Sequence, residues 1–206
     1  MILTGLAPDP RRPDYRLVEV DRGRFASLPA ADLTDLELRI GAAIPESVFA
    51  RLQQLADIEA AHRAALRALA RRAHARFDLR RRLLQKQHPP AAIDVALNRL
   101  VGAGLLDDAR FAADYAAAKA FRGRGPARLI RDLLAQGVDR RVAEDAVRTS
   151  LAAEGVDPAR AVRALAEKRA RQLAALPPAV RKRRLVAFLV RRGFPGSDIR
   201  EVVEGL

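Results

Sequence analysis

Apolar residues recur at three- and four-residue spacing from Pro45 onward, with charged residues between them. One such run carries Val48, Leu52 and Leu55. This period places the apolar side chains on one face of a helix, so it predicts amphipathic helices. We therefore expect an all-α fold over most of the chain.

The N-terminal residues follow a different pattern. Residues 15–20 alternate apolar and polar side chains, Gly23 lies in a turn signal, and residues 25–28 can return antiparallel. Two strands alone are marginal in water, so this small β-hairpin is expected to pack on residues 33–40. We expect a floppy terminus over residues 1–13 and an N-terminal extension over residues 1–44.

The helical part contains an internal repeat, seen when three windows are aligned on a leucine pair. After this pair, each window has a position where a helix end with left-handed backbone is expected, and glycine occupies that position in two of the three windows. The windows contain Leu79, Leu83 and Gln87; Leu129, Leu133 and Gly137; and Leu185, Leu189 and Gly193. Each predicts a helix–turn–helix, and the spacings of 50 and 56 residues leave room for one further helix per unit.

The repeat therefore predicts three tandem three-helix units stacked into an elongated, curved array. The additional helices are expected at residues 108–121 and 158–173. We place the first helical unit at residues 45–106, the second at 107–155 and the third at 156–206.

Helix caps support these bounds. Asp107 and Asp108 can cap the helix that carries Phe111 and Tyr115, and Gly125-Pro126 places proline at a first helical position. The four-residue spacing of Phe111 and Tyr115 indicates core packing rather than base stacking. Ala75 stands where a capping residue would be expected in the first unit.

Catalytic and cofactor motifs are absent from the sequence. The three histidines have no HExxH spacing, there is no GxSxG or phosphate-loop pattern, and there is no cysteine. The adjacent acids Asp107 and Asp108 are interpreted as caps, and Gly123-Arg124-Gly125 follows no strand, so neither predicts a site. We expect no enzymatic activity, no metal and no cofactor.

Charge distinguishes the two parts of the chain. Residues 1–57 carry a net charge of −2 and residues 58–206 a net charge of +15, and 34 of the 38 basic residues are arginine. The guanidinium of arginine forms bidentate hydrogen bonds with phosphate and carboxylate groups, so this composition favours a polyanionic partner. Ordinary solvated helix faces in an Ala- and Arg-rich chain are the alternative.

Basic residues cluster at corresponding repeat positions, which predicts a binding stripe along one face of the array. The candidate partner- or polyanion-binding residues are Arg80, Arg81, Arg82, Arg122, Arg124, Arg128, Arg131, Arg181, Lys182, Arg183, Arg184, Arg191 and Arg192. Consecutive helical residues point about 100° apart, so some of these side chains must face elsewhere.

The segment 104–112, which reads GLLDDARFA, resembles the central signature of the RecX family, regulators of the RecA recombinase. The resemblance continues through Tyr115, Lys119, Gly125-Pro126, Leu133 and Gly137-Val138 and covers about residues 60–206. Ala75 and Lys119 depart from the family, which usually has Ser and Arg there. Residues 15–44 look like an N-terminal extension that some members carry.

The resemblance implies a non-enzymatic regulator in homologous recombination, DNA repair and the SOS response. Such a protein binds along the groove of the RecA filament on single-stranded DNA and mostly inhibits ATP hydrolysis and strand exchange. No stretch of about 18 residues is without charge, so we expect no transmembrane helix. We expect a cytoplasmic monomer.

Two other functions stay open. A basic helical-repeat protein could bind DNA directly, without RecA, through its helix–turn–helix units. An adaptor of the ribosome or of a scaffold could use the arginines for RNA and for protein carboxylates. Which arginines contact which partner, and what the hairpin does, are not determined by the sequence.

Overall fold

The computed structural model describes residues 1–120, 123–153 and 158–206. Three strands come first: β1 (Leu3–Asp9), β2 (Arg12–Val20) and β3 (Gly23–Pro29), followed by a 3-10 helix (Ala31–Leu36). The α-helices of the described residues are α1 (Glu46–Leu69), α2 (Arg76–Gln85), α3 (Pro90–Gly102), α4 (Asp108–Ala120), α5 (Pro126–Ala135), α6 (Arg140–Ala153), α7 (Pro158–Gln172), α8 (Pro178–Arg192) and α9 (Gly196–Glu204). The predicted fold class is confirmed.

The N-terminal strands form one antiparallel sheet in the order β1-β2-β3. The expected hairpin is β2 and β3, and its turn places Asp21 and Arg22 in the left-handed region, at φ 48° and 65°. The expectation of a floppy terminus over residues 1–13 is wrong, because β1 pairs with β2 and Leu3 is buried. The amide of Leu3 also donates to the carbonyl of Ala42 at 3.1 Å, a distant contact that no local pattern reveals.

The sheet packs on the first half of α1. Its core joins strand residues to helix residues, and the ring centroids of Phe25 and Phe49 lie 5.5 Å apart. The buried members of this cluster are Leu3, Val18, Leu28, Leu33, Leu52 and Leu55. A sheet this small needs such a partner, because two or three short strands bury too little apolar surface alone.

The second half of α1 begins the helical domains. We call α2 and α3 with the end of α1 the first helical domain, α4–α6 the second and α7–α9 the third. Each has its own apolar cluster built on the leucine pair of its window: Leu79 and Leu83, Leu129 and Leu133, and Leu185 and Leu189. All six leucines are at most 3% exposed.

The three helix–turn–helix turns have the same backbone conformation. Gln87, Gly137 and Gly193 are left-handed, with φ of 64°, 80° and 85°. In each turn the next residue donates its amide to the carbonyl of the window's second leucine, at 3.2 to 3.4 Å. This hydrogen bond satisfies a carbonyl that the helix end leaves without a partner, as in a Schellman motif.

The chain divides into two compact units. One comprises residues 1–73 and 79–106, and the other comprises residues 74–78 and 107–206. The start of α2 therefore packs with the second helical domain, where Ala75 is fully buried in the same cluster as Phe111. Alanine fits this apolar surrounding because its side chain has no polar group to bury.

Candidate partner-binding surface

The candidate arginines of α2 differ in their surroundings. Arg80 reaches Asp94 on α3, with 2.8 Å between Nε and Oδ1, and this hydrogen bond raises the pKa of Arg80 above its ordinary value. Arg81 and Arg82 are exposed. Arg80 therefore already serves a contact inside the first compact unit.

The arginines near α5 converge on one carboxylate. Arg128 Nε lies 2.9 Å from Asp132 Oδ1, and Arg124 pairs with the other oxygen of Asp132. Arg124 also donates to the Tyr115 hydroxyl at 2.9 Å, and burial together with the Asp132 carboxylate raises the pKa of Tyr115. Arg131 is exposed, and Arg122 lies outside the described residues.

The basic residues of α8 are mostly exposed. Lys182, Arg183, Arg184 and Arg191 are exposed and Arg181 is half-buried. None of the five forms an ion pair with another residue of the described ranges.

Arg192 differs from the other cations of α8. Its guanidinium lies 5.1 Å from the centre of the Phe188 ring, and Nη1 donates to the carbonyl of Gly123 at 3.3 Å. The guanidinium of Arg169 lies 5.4 Å from the same ring. Such cation–π contacts stabilise packing, so Arg192 has a structural role in the second compact unit.

Gly125, Pro126 and Gly193 form a junction between the second and third helical domains. At the start of α5, the amides of Gly125 and Ala127 donate to the carbonyls of Arg192 and Gly193, at 2.8 and 3.1 Å. A helix start lacks acceptors for its amides and a helix end lacks donors for its carbonyls, so each end satisfies the other. A Cβ on either glycine would overlap the opposite backbone.

A related junction lies at the start of α2. The amide of Arg76 donates to the Asp108 carboxylate at 2.7 Å, and a Cβ on Gly137 would overlap the Phe77 side chain. Asp107 caps α4 as expected, accepting the amides of Ala109 and Arg110 at 2.8 and 3.0 Å. Asp108 was expected to cap α4 as well; its carboxylate instead accepts from the start of α2.

Phe111 and Tyr115 pack as the sequence predicts for a helical core. Phe111 is buried, and the two ring centroids are 6.1 Å apart. The predicted helix over residues 108–121 is described as far as Ala120.

Comparison with known proteins agrees with this domain structure. Three family models match in chain order: the first three-helix domain of RecX over residues 61–100, the second over 107–147 and the third over 157–203. The chain is 39% identical over 148 residues to a regulatory protein RecX from Halorhodospira halophila, covering 69% of this chain and 85% of that protein. The chain belongs to the RecX family.

Other RecX proteins support the same assignment. A regulatory protein RecX from Pseudomonas savastanoi pv. phaseolicola is 36% identical over 147 residues, covering 71% of this chain and 91% of that protein. A crystal structure of a regulatory protein RecX matches all of this chain and 99% of its own, with a TM-score of 0.78 and 20% identity. RecX from Lactobacillus salivarius matches 73% of this chain and 96% of its own, with a TM-score of 0.62 and 22% identity. These two likenesses concern the fold.

The RecX helical domains contain ion pairs that were not predicted from the sequence. Asp94 and Asp132 pair with arginines that were expected to face a partner; only the Arg128–Asp132 spacing of four residues signalled such a pair. Within the described ranges, no group of three or more His, Asp or Glu side chains is placed to hold a metal ion. No described helix is both long enough and apolar enough to cross a membrane.

A second missed feature lies where the sheet meets the first helical domain. Glu59 is 1% exposed, and its Oε1 accepts from Arg99 at 2.8 Å while Arg99 also reaches Asp32 at 3.0 Å. Arg12 of β2 approaches the other oxygen of Glu59 at 3.9 Å. These ion pairs use arginines of the first compact unit that sequence inspection alone would leave as surface charge.

Proposed function

We propose that this RecX-family protein is a non-enzymatic, cytoplasmic regulator that binds in the groove of the RecA filament on single-stranded DNA. It modulates, and mostly inhibits, ATP hydrolysis and strand exchange by RecA in recombination and the SOS response. The observation that carries the proposal is the ordered match of all three RecX three-helix domains to this chain.

The proposed contact surface centres on α8. A cation that already has a carboxylate partner gains little from a second anion, because the first pair must be weakened or shared. Arg181, Lys182, Arg183, Arg184 and Arg191 have no such partner within the described residues, whereas Arg80, Arg124 and Arg128 do. Arg131 of the second compact unit is exposed, as are Arg81 and Arg82 of the first, and each stays a candidate for partner contact.

Inhibition follows from differential binding. A repeat protein that contacts neighbouring RecA protomers favours the filament conformation it fits, and it opposes the rearrangements that hydrolysis needs. Complementary charge would direct the encounter and set the register. A monomer suffices for this mechanism.

Co-sedimentation with RecA filaments tests the proposal. The protein is spun with RecA on single-stranded DNA, with naked single-stranded DNA and with duplex DNA, at about 150 mM salt, where exposed charges are screened beyond about 8 Å. ATP hydrolysis is followed in the same samples. Selective pelleting with the filament and slower hydrolysis are expected; equal pelleting with naked DNA, and hydrolysis lost only as DNA is sequestered, would refute the proposal.

Direct DNA binding is the second candidate. The observation that favours it is the run of exposed cations from Lys182 to Arg184 on α8, the first helix of the third helix–turn–helix. Affinity for duplex that depends on phosphate contacts falls with salt at a log–log slope of about −0.9 per neutralised phosphate. A steep slope on naked duplex, with no preference for the RecA filament, would favour this candidate.

A further inference from the structure

A groove of about 430 Å³ lies in the third helical domain. The end of α7, the start of α8 and the end of α9 line it. Its apolar side chains include Leu185, Val203 and Leu206, and its cations are Arg171, Arg181 and Lys182. It therefore combines an apolar floor with a positively charged rim.

The repeat gives this groove a defined place. When the three domains are aligned on the first leucine of each window, two consecutive residues that line the groove align with residues at the two junctions described above. These positions are Ala75 and Arg76 in the first domain, Gly125 and Pro126 in the second, and Arg181 and Lys182 in the third.

In both earlier domains an acceptor occupies this place. The Asp108 carboxylate accepts the amide of Arg76 at 2.7 Å, and the carbonyl of Arg192 accepts the amide of Gly125 at 2.8 Å. One acceptor is an ionised side chain and the other is the negative end of a helix. The position thus receives negative charge twice within the second compact unit.

At this position the first and second domains donate backbone amides to the acceptor, whereas the third domain presents charged side chains. α8 begins at Pro178, four residues before the position that corresponds to Pro126, and the amide of Arg181 already donates to the carbonyl of Pro177 at 2.9 Å. The cations Arg171, Arg181 and Lys182 have no ion-pair partner within the described ranges. An anionic group bound at this position could therefore accept hydrogen bonds from these three flexible, positively charged side chains.

We propose that this groove binds an acidic segment of a partner protein, with one aliphatic side chain of the segment on the apolar floor. The floor argues for a peptide over a nucleic acid, because the lining contains no aromatic ring on which a base could stack. Phosphates would also leave Leu185 and Val203 uncovered. The proposal concerns the third domain alone and does not require RecA to be the partner.

Fluorescence anisotropy with the full chain tests this assignment at about 150 mM salt. The probe is a labelled twelve-residue peptide of glutamate and aspartate with one central leucine. Two comparison probes are the same peptide with serine in place of leucine and a labelled oligothymidylate of equal charge. The variants are R181E/K182E for the rim and Leu206→Ser for the floor.

A matched control carries the same charge change elsewhere in the third domain. Arg160 and Arg200 are exposed and lie outside the groove lining, so R160E/R200E has the same net charge as R181E/K182E. Circular dichroism of each variant checks that the helices are intact.

The expected result is saturable binding of the leucine peptide that is at least tenfold weaker for R181E/K182E and within about twofold of the parent protein for R160E/R200E. Leu206→Ser and the serine probe should each weaken binding about threefold, as expected for partial loss of an apolar contact. Three results would overturn the proposal: no binding by the folded parent protein, equal weakening by both charge variants, or displacement of the peptide by an equimolar oligothymidylate.

Discussion

The helices α5 and α8 occupy corresponding places in their domains but use their arginines differently. Arg124 and Arg128 bind Asp132, and the start of α5 is covered by Arg192 and Gly193. α8 has Phe188 at the position that corresponds to Asp132, and its exposed cations have no carboxylate within the described residues. Arg184 is the counterpart of Arg128, so this change of residue type separates an arginine that is held in an ion pair from one that is available to a partner.

The largest effect is expected from breaking the junction that covers the start of α5. Gly193→Ala places a Cβ at φ 85° against the backbone of Arg128. Strain and overlap together should lower the free energy of unfolding by about 2 to 4 kcal/mol, measured by urea denaturation.

Gln87→Ala is the control for that substitution. Gln87 holds the same left-handed turn in the first domain, and its side chain is exposed. Its replacement should cost less than about 0.5 kcal/mol, as for other exposed positions. Equal losses at Gln87 and Gly193 would contradict the assignment of the Gly193 loss to the junction.

The next effect comes from making α5 resemble α8. Asp132→Asn removes the charge that binds Arg124 and Arg128 while keeping the shape of the side chain. Hydrogen bonds to charged groups contribute about 1.5 to 3 kcal/mol, so we expect a loss of about 2 kcal/mol in the free energy of unfolding. The pKa of Tyr115 should also fall in an ultraviolet titration; an unchanged pKa would contradict the Asp132 contact.

A smaller effect in free energy is expected from charge reversal on α8. Replacement of four cations of α8 by glutamate should weaken binding to the RecA filament at least tenfold, or by about 1.4 kcal/mol. The replaced residues are Arg181, Lys182, Arg183 and Arg184. Helicity and melting temperature should stay nearly unchanged, because these cations hold no described ion pair. Unaltered binding in co-sedimentation would show that α8 is not part of the contact surface.

The smallest effect concerns alkaline pH. Burial and the Asp132 carboxylate raise the pKa of Tyr115, so the folded protein holds the phenol proton more tightly than the unfolded chain does. The resulting stabilisation is complete below the unfolded pKa of about 10 and is lost as pH rises through the folded pKa. Urea denaturation between about pH 9 and 11 should show this loss, and Asp132→Asn should reduce it.

Several parts of this molecule followed from the sequence because their causes are local. The leucine pairs and the left-handed turns repeat at short range, so the three helix–turn–helix windows were predicted with the residues that form them. The family resemblance rested on residues 104–112 and the positions after them, and the matches to three RecX domains confirm it.

Other parts depended on distant contacts. β1 exists because Leu3 pairs with Val20 and reaches Ala42, and neither partner is near it in the chain. The role of Asp108 depended on the approach of α2, and that of Asp132 on the convergence of Tyr115, Arg124 and Arg128. A count of basic residues could not separate paired from unpaired arginines, because the carboxylates come from other helices or other turns.

The sequence by itself determined the helical repeat, the basic character of residues 58–206 and the conformation at Gly137 and Gly193. Periodicity and backbone sterics act within one or two turns of helix, so they can be read without the fold. Only the tertiary structure decided why Gln87 is tolerated where Gly137 and Gly193 are required: packing covers the two glycine turns, and the side chain of Gln87 remains in solvent. Close approach of two backbones is a property of the folded chain, and local propensity does not encode it.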